Sequence, residues 1–128
     1  MSMDSKESRF GLERLRKSFG YAWQGIRFVW SSEQNFRIHA AAGFIAAALG
    51  VLLSISVFEW IVLILLISGM MALETMNTAI EKAVDLVSPD DHPLAKASKD
   101  AAAAAVLLFA IGSFIIGCII FIPKIFNY

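Results

Sequence analysis

The feature that most constrains this chain is a run of twenty-two residues, Ala101 to Ile122, without a charged side chain. A second such run extends from Ala40 to Phe58. A bilayer core of about 30 Å needs roughly 20 predominantly apolar residues to cross it as a helix. Between these runs, Trp60 to Leu73 is strongly apolar, is interrupted by Glu74, and resumes as Thr75-Met-Asn-Thr-Ala-Ile80 before Glu81. Read as one helix over 57–87, this segment can span and project beyond the bilayer core. The pattern therefore predicts an all-α integral membrane protein with spans at about 36–56, 57–87 and 96–122. Ser54 and Ser56 mark fraying at the end of the first. Ser88-Pro-Asp-Asp-His-Pro93 forms the turn before the third.

Composition agrees with this. The chain is 58% hydrophobic and 17% charged, against about 45–50% and 25% for an ordinary soluble domain. Eleven basic residues balance eleven acidic ones, so no net basic field points to nucleic acid. One cysteine and two histidines exclude a disulfide framework and a His- or Cys-rich metal site. Cys118 reads as apolar filler, and His39 and His92 as separate and unpaired. The alanine runs at 40–42, 46–48 and 101–105 allow close helix approach. No second domain, linker or repeat is evident. Thirty-nine residues precede the first span and two spans follow it, which favours a permanent anchor over a cleaved leader.

Basic residues set the expected orientation. Seven of them fall within residues 1–39, none falls near Ser54–Glu59, three fall between Glu81 and Asp100, and Lys124 stands near the end. The N-terminus and second loop are expected in the cytoplasm, and the first loop and C-terminus outside. Before the spans, Leu12, Leu15, Phe19, Trp23, Ile26 and Trp30 recur at helical spacing. Glu13, Arg14, Lys17, Tyr21 and Gln24 fall opposite, so residues 10–30 read as an amphipathic helix lying at the membrane surface. Residues 1–9 read as polar and frayed. A simple anchor accounts for this pattern equally well.

Charges inside spans cost about 2.5–3.5 kcal/mol at mid-helix and are functional candidates. Glu74, Asn77, Glu81 and Asp85 share one helix face within roughly 80°. Glu33 precedes the first span and Lys99-Asp100 opens the third, so topology brings Glu33, Glu81, Lys99 and Asp100 to one membrane level. Mg²⁺ is usually held by one or two carboxylates plus substrate phosphates. Lysine holds phosphate as a point charge, and a deeper carboxylate can act as a general base. The constellation fits phosphoryl transfer from a nucleotide to a membrane-dissolved alcohol. Interfacial ion pairing, or a hydrogen bond of Glu74 with Asn77, is the plainer alternative. No GxxxxGK loop or protein-kinase signature is present.

Glu74-Thr-Met-Asn77-Thr-Ala-Ile-Glu81-Lys-Ala-Val-Asp85 and Ala97-Ser-Lys99-Asp100-Ala-Ala-Ala-Ala resemble the signature of the small prokaryotic diacylglycerol kinase family. The likeness extends from about Phe10 to Ile122. It implies a single kinase domain forming a homotrimer, with active sites shared between subunits and MgATP as phosphate donor. By the resemblance, Glu74 matches the catalytic base, and Glu33 and Glu81 match the Mg²⁺ ligands. Lys99 and Asp100 match nucleotide-contacting positions, Lys99 on phosphate. Asn77 matches a supporting position, while Arg14, Tyr21 and His92 match positions near the nucleotide. Trp23, Arg27, Trp30 and Asn35 match the lipid-side pocket. Glu33-Gln-Asn-Phe-Arg-Ile-His39 and His92-Pro-Leu-Ala-Lys96 resemble the Gram-positive branch, whose substrate is undecaprenol, with His39 where the other branch has an acid. Diacylglycerol is the alternative substrate. A non-enzymatic membrane scaffold, with polar residues serving helix pairing, is the alternative in another class.

Overall fold

The structure, a computed structural model, describes residues 3–127 and is entirely helical over them apart from short connections. Four helices follow in order: α1 (Met3–Ser32), α2 (Gln34–Leu52), α3 (Val57–Val87) and α4 (Pro93–Ile125). Two compact units divide the chain, one ending at Ser32 and the other beginning at Glu33.

Helix α1 begins at Met3, ahead of the expected Phe10, so residues 3–9 are helical rather than frayed. Residues 1–2 of that expected frayed stretch lie outside the described residues. Glu7 falls early in the helix, where the dipole favours acids, and Ser8 returns its hydroxyl to the Ser5 carbonyl at 3.2 Å. Three glycines, Gly11, Gly20 and Gly25, do not interrupt the helix, and a Cβ at any of them would meet open space. Leu12, Leu15, Phe19 and Trp23 are all well exposed.

In the second unit α3 is the middle element, packing against both α2 and α4. Each of the three helices is long and apolar enough to cross a membrane. Helix α2 has 19 residues and is therefore about 28 Å long. It stops at Leu52, short of the expected residue 56. The Leu53 N–H closes on the Leu49 carbonyl at 2.8 Å, and Ser54 takes a left-handed φ of 52°. Ser56 then starts α3 with a capping box: its hydroxyl accepts from the Glu59 N–H at 3.2 Å, and its own N–H donates to the Glu59 carboxylate at 3.0 Å. Local hydrogen bonding thus turns the chain where apolar content alone would continue it.

Helix α3 covers the expected 57–87. Helix α4 starts at Pro93 rather than 96, because proline suits the first helical position and His92 Nδ1 accepts the Leu94 N–H at 3.1 Å. It also continues through Pro123 to Ile125. A proline this near the end removes one bond while Phe126 N–H still reaches the Ile122 carbonyl at 3.1 Å.

The packed centre is Ile55, Leu63 and Ile120, with Trp60, Ile67 and Phe121 against it. Close approach of helices rests on small residues. A Cβ on Gly69 of α3 would stand 2.6 Å from the Phe109 ring of α4, and one on Gly43 of α2 would stand 3.0 Å from Ile67. Large apolar side chains face outward on all three helices, Phe44 at 77% and Phe114 at 75% exposure among them. Soluble monomers rarely expose apolar patches on this scale, whereas hydrocarbon-facing helices require them.

Candidate functional site

The buried face of α3 carries the site. Among the described residues, Glu74 is the one charged side chain that is buried, at 4% exposure for the residue, and Thr78 one turn later is at 2%. Thr78 donates to the Glu74 carbonyl at 3.1 Å, and Thr75 donates to the Met71 carbonyl at 2.8 Å. Both hydroxyls are thereby satisfied on their own helix. The carboxylate of Glu74 turns instead toward α2, where His39 Nε2 lies 3.2 Å from Oε1. Burying a carboxyl group is costly, and the contact with the imidazole offsets part of that cost.

Other acids gather around it. The carboxylates of Glu33 and Glu81 both act electrostatically on Glu74. Glu33 is the N-cap of α2 in extended conformation, yet its side chain makes no capping hydrogen bond, so local helix chemistry does not use this carboxylate. Glu81 is half-buried two turns beyond Glu74. Between them, Asn77 presents a buried Oδ1 with no hydrogen-bond partner. The side-chain partner of the Glu74 carboxylate is His39 rather than Asn77.

Helix α4 supplies the cations. Lys99 forms an ion pair with Asp85 of α3, and Glu81 also acts on it electrostatically. Asp100 faces away into an exposed pair with Lys96 at 2.6 Å. The two neighbours Lys99 and Asp100 thus have different surroundings: only Lys99 joins the acidic face of α3. His92 caps α4, its Nδ1 accepting the Leu94 N–H. Asn35 is exposed in the first turn of α2. Arg14, Tyr21, Trp23, Arg27 and Trp30 lie on α1 with exposed side chains.

An apolar groove of about 660 Å³ runs between α2, α3 and α4, with His39 among its lining residues together with Ala42, Ala46, Met70, Phe114 and Cys118. Cys118 lines this groove half-buried. Ser113, also in its wall, has a buried hydroxyl oxygen without a partner.

Among the described residues, no three His, Cys, Asp or Glu side chains are placed to hold a metal ion by themselves. A Mg²⁺ ion is usually held by only one or two carboxylates and completes its octahedron with phosphates and water. Glu33 without a capping bond, half-buried Glu81 and the orphaned Asn77 oxygen are hard oxygen donors of the kind such an ion takes.

The sequence matches the family model for prokaryotic diacylglycerol kinase over residues 20–121. This chain belongs to the prokaryotic diacylglycerol kinase family. It is 51% identical over 123 residues to the undecaprenol kinase of Bacillus subtilis, covering 96% of this chain and 100% of that protein. It is 40% identical to a diacylglycerol kinase of Synechocystis, over 88% of this chain and 65% of the relative. The diacylglycerol kinase of Escherichia coli is 34% identical over 86% of this chain and 90% of its own length. His39 stands out in the sequence only as a replacement for an acid; its contact with Glu74 depends on the packing of α2 against α3 and emerges with the fold.

Proposed function

We propose that this chain is a lipid kinase that transfers the γ-phosphate of ATP to the hydroxyl of undecaprenol, giving undecaprenyl phosphate for the cell-wall lipid carrier. The observation that carries the reading is Glu74, a carboxylate buried among membrane-spanning helices, paired with the groove-lining His39 and flanked by Glu33 and Glu81, with Lys99 beside Glu81. The choice of lipid is supported by 51% identity to an undecaprenol kinase along that protein's whole length. Diacylglycerol is the second reading, supported by the names of the relatives at 40% and 34% identity.

The work of such an enzyme is mostly positioning and charge neutralisation. Mg²⁺, when bound, would be held by Glu33 and Glu81 with the ATP phosphates and would offset charge on the β- and γ-phosphates. Lys99 exchanges its Asp85 partner for phosphate oxygens. Asp100 and His92 border the nucleotide, and Asn77 supports the face between the two acids. Glu74 orients the lipid hydroxyl and takes its proton as the oxygen attacks the γ-phosphorus. By the family resemblance, Arg14 and Tyr21 serve the nucleotide, while Trp23, Arg27, Trp30 and Asn35 serve the lipid substrate.

The whole chain acts as one kinase domain in the cell membrane. Helix α1 lies amphipathically at the cytoplasmic surface, and the three spans leave the N-terminus inside and the C-terminus outside, as the basic residues favour. Three copies assemble with active sites shared between neighbours. The exposed face of α3 around Ile64, Leu65 and Met76 supports a contact between copies.

The test is transfer of labelled phosphate from MgATP by the purified chain, with undecaprenol and diacylglycerol competing in one detergent mixture. Preferential labelling of undecaprenol is expected. Preferential labelling of diacylglycerol overturns the substrate assignment, and labelling of neither overturns the kinase reading.

A further inference from the structure

We infer that His39 is the positioning residue for Glu74, donating its Nε2–H to one carboxylate oxygen so that the other is left to meet the lipid hydroxyl. The inference rests on the reading of Glu74 as base and adds a residue to it.

The geometry is specific. Glu74 retains 5% side-chain exposure, His39 retains 27%, and Nε2 lies 3.2 Å from Oε1. A carboxylate offers two oxygens and about four acceptor positions. Among the described residues, His39 is the one side chain that pairs with those of Glu74. The charged groups that face Glu74 from elsewhere are acids, Glu33 ahead of α2 and Glu81 on its own helix. On α4 the nearest cation in the site, Lys99, is engaged by Asp85. Without the imidazole donor, Glu74 would stand desolvated among like charges with nothing to fix its rotamer.

His39 also lines the apolar groove. An alcohol carried on an apolar tail in that groove therefore meets His39 at the groove's wall, with the Glu74 carboxylate held 3.2 Å behind the imidazole. In the transfer step, the alcohol O–H bond breaks and its proton goes to the free Glu74 oxygen. The alcohol oxygen bonds to the γ-phosphorus, and the bond from that phosphorus to the bridging oxygen of ADP breaks. His39 keeps its own proton throughout.

The experiment compares His39→Gln, which keeps an N–H donor, with His39→Leu, which does not, using the full chain in detergent with MgATP and undecaprenol. His39→Leu is expected to lower kcat by about 100-fold, with the KM for ATP changed by less than about twofold, while His39→Gln stays within about fivefold of the parent. Equal losses in both variants, or none in His39→Leu, would overturn the inference. A second measurement does not depend on either variant folding: ¹⁵N NMR of the histidine-labelled parent. A protonated Nε2 whose resonance moves on Glu74→Gln is expected, and an unprotonated Nε2, or no response, overturns the proposal. Full turnover by Glu74→Gln overturns the base assignment itself. Loss there, with His39→Leu unimpaired, overturns only the role of His39.

Discussion

Glu74, Glu33 and Glu81 are three acids with three different surroundings. Glu74 is buried and paired with His39. Glu33 starts a helix without capping it, and Glu81 is half-buried beside Lys99. This difference separates their expected roles. Replacing Glu33 or Glu81 by glutamine keeps the shape and removes a charged oxygen donor. Each change should raise the Mg²⁺ concentration for half-maximal rate by at least about tenfold, the scale seen even for outer-sphere partners of a metal. A Mg²⁺ titration of initial rate checks this, and an unchanged midpoint in both variants removes them as ligands. The acids were legible in the sequence because helical spacing puts Glu74, Asn77 and Glu81 on one face. His39 was not, since its pairing depends on how α2 packs against α3 and no local spacing encodes that.

At the scale of elements, α3 is the shared wall of the unit, and its contacts with α2 and α4 depend on glycines at the crossing points. Gly69 faces the end of the Phe109 ring, where an added Cβ would sit at 2.6 Å. Gly69→Leu should overpack this contact and lower stability by about 1–3 kcal/mol. Thermal unfolding in detergent would show it as a reduced midpoint, and an unchanged midpoint would mean that α3 and α4 do not meet there. The bounds of α3 could be read from the chain because apolar residues continue on both sides of Glu74 until Ser88-Pro89. The end of α2 was legible only in part: Ser54 and Ser56 mark fraying there, but not the stop at Leu52. Residues 53–56 are as apolar as a helix end requires, but the left-handed Ser54 and the Ser56–Glu59 capping box reverse the chain earlier. Pro93 and Pro123 mark α4 from inside, one as its first residue and the other within its last turn.

For the whole molecule, membrane insertion was legible because three helices must place large apolar side chains outward, and composition alone reveals that. Subunit number and orientation follow no such single pattern, and they carry their own prediction. With Cys118 replaced by alanine, a cysteine placed at Asn127 should react with an impermeant thiol reagent added outside intact cells. One placed at Asp90 should react only after permeabilisation, and the reverse pattern contradicts the proposed orientation. Detergent-corrected light scattering should give three copies of the 14.0 kDa chain, and a fully active single copy contradicts shared sites. Fold, assembly and chemistry meet in the central claim that a buried glutamate drives phosphate transfer to a membrane alcohol. The most direct test is Glu74→Gln, assayed for both nucleotide binding and phosphate transfer to undecaprenol. MgATP is expected to bind still, while turnover falls by about 10²–10⁴-fold, the range of a lost general base. Turnover at the parent rate would contradict the claim.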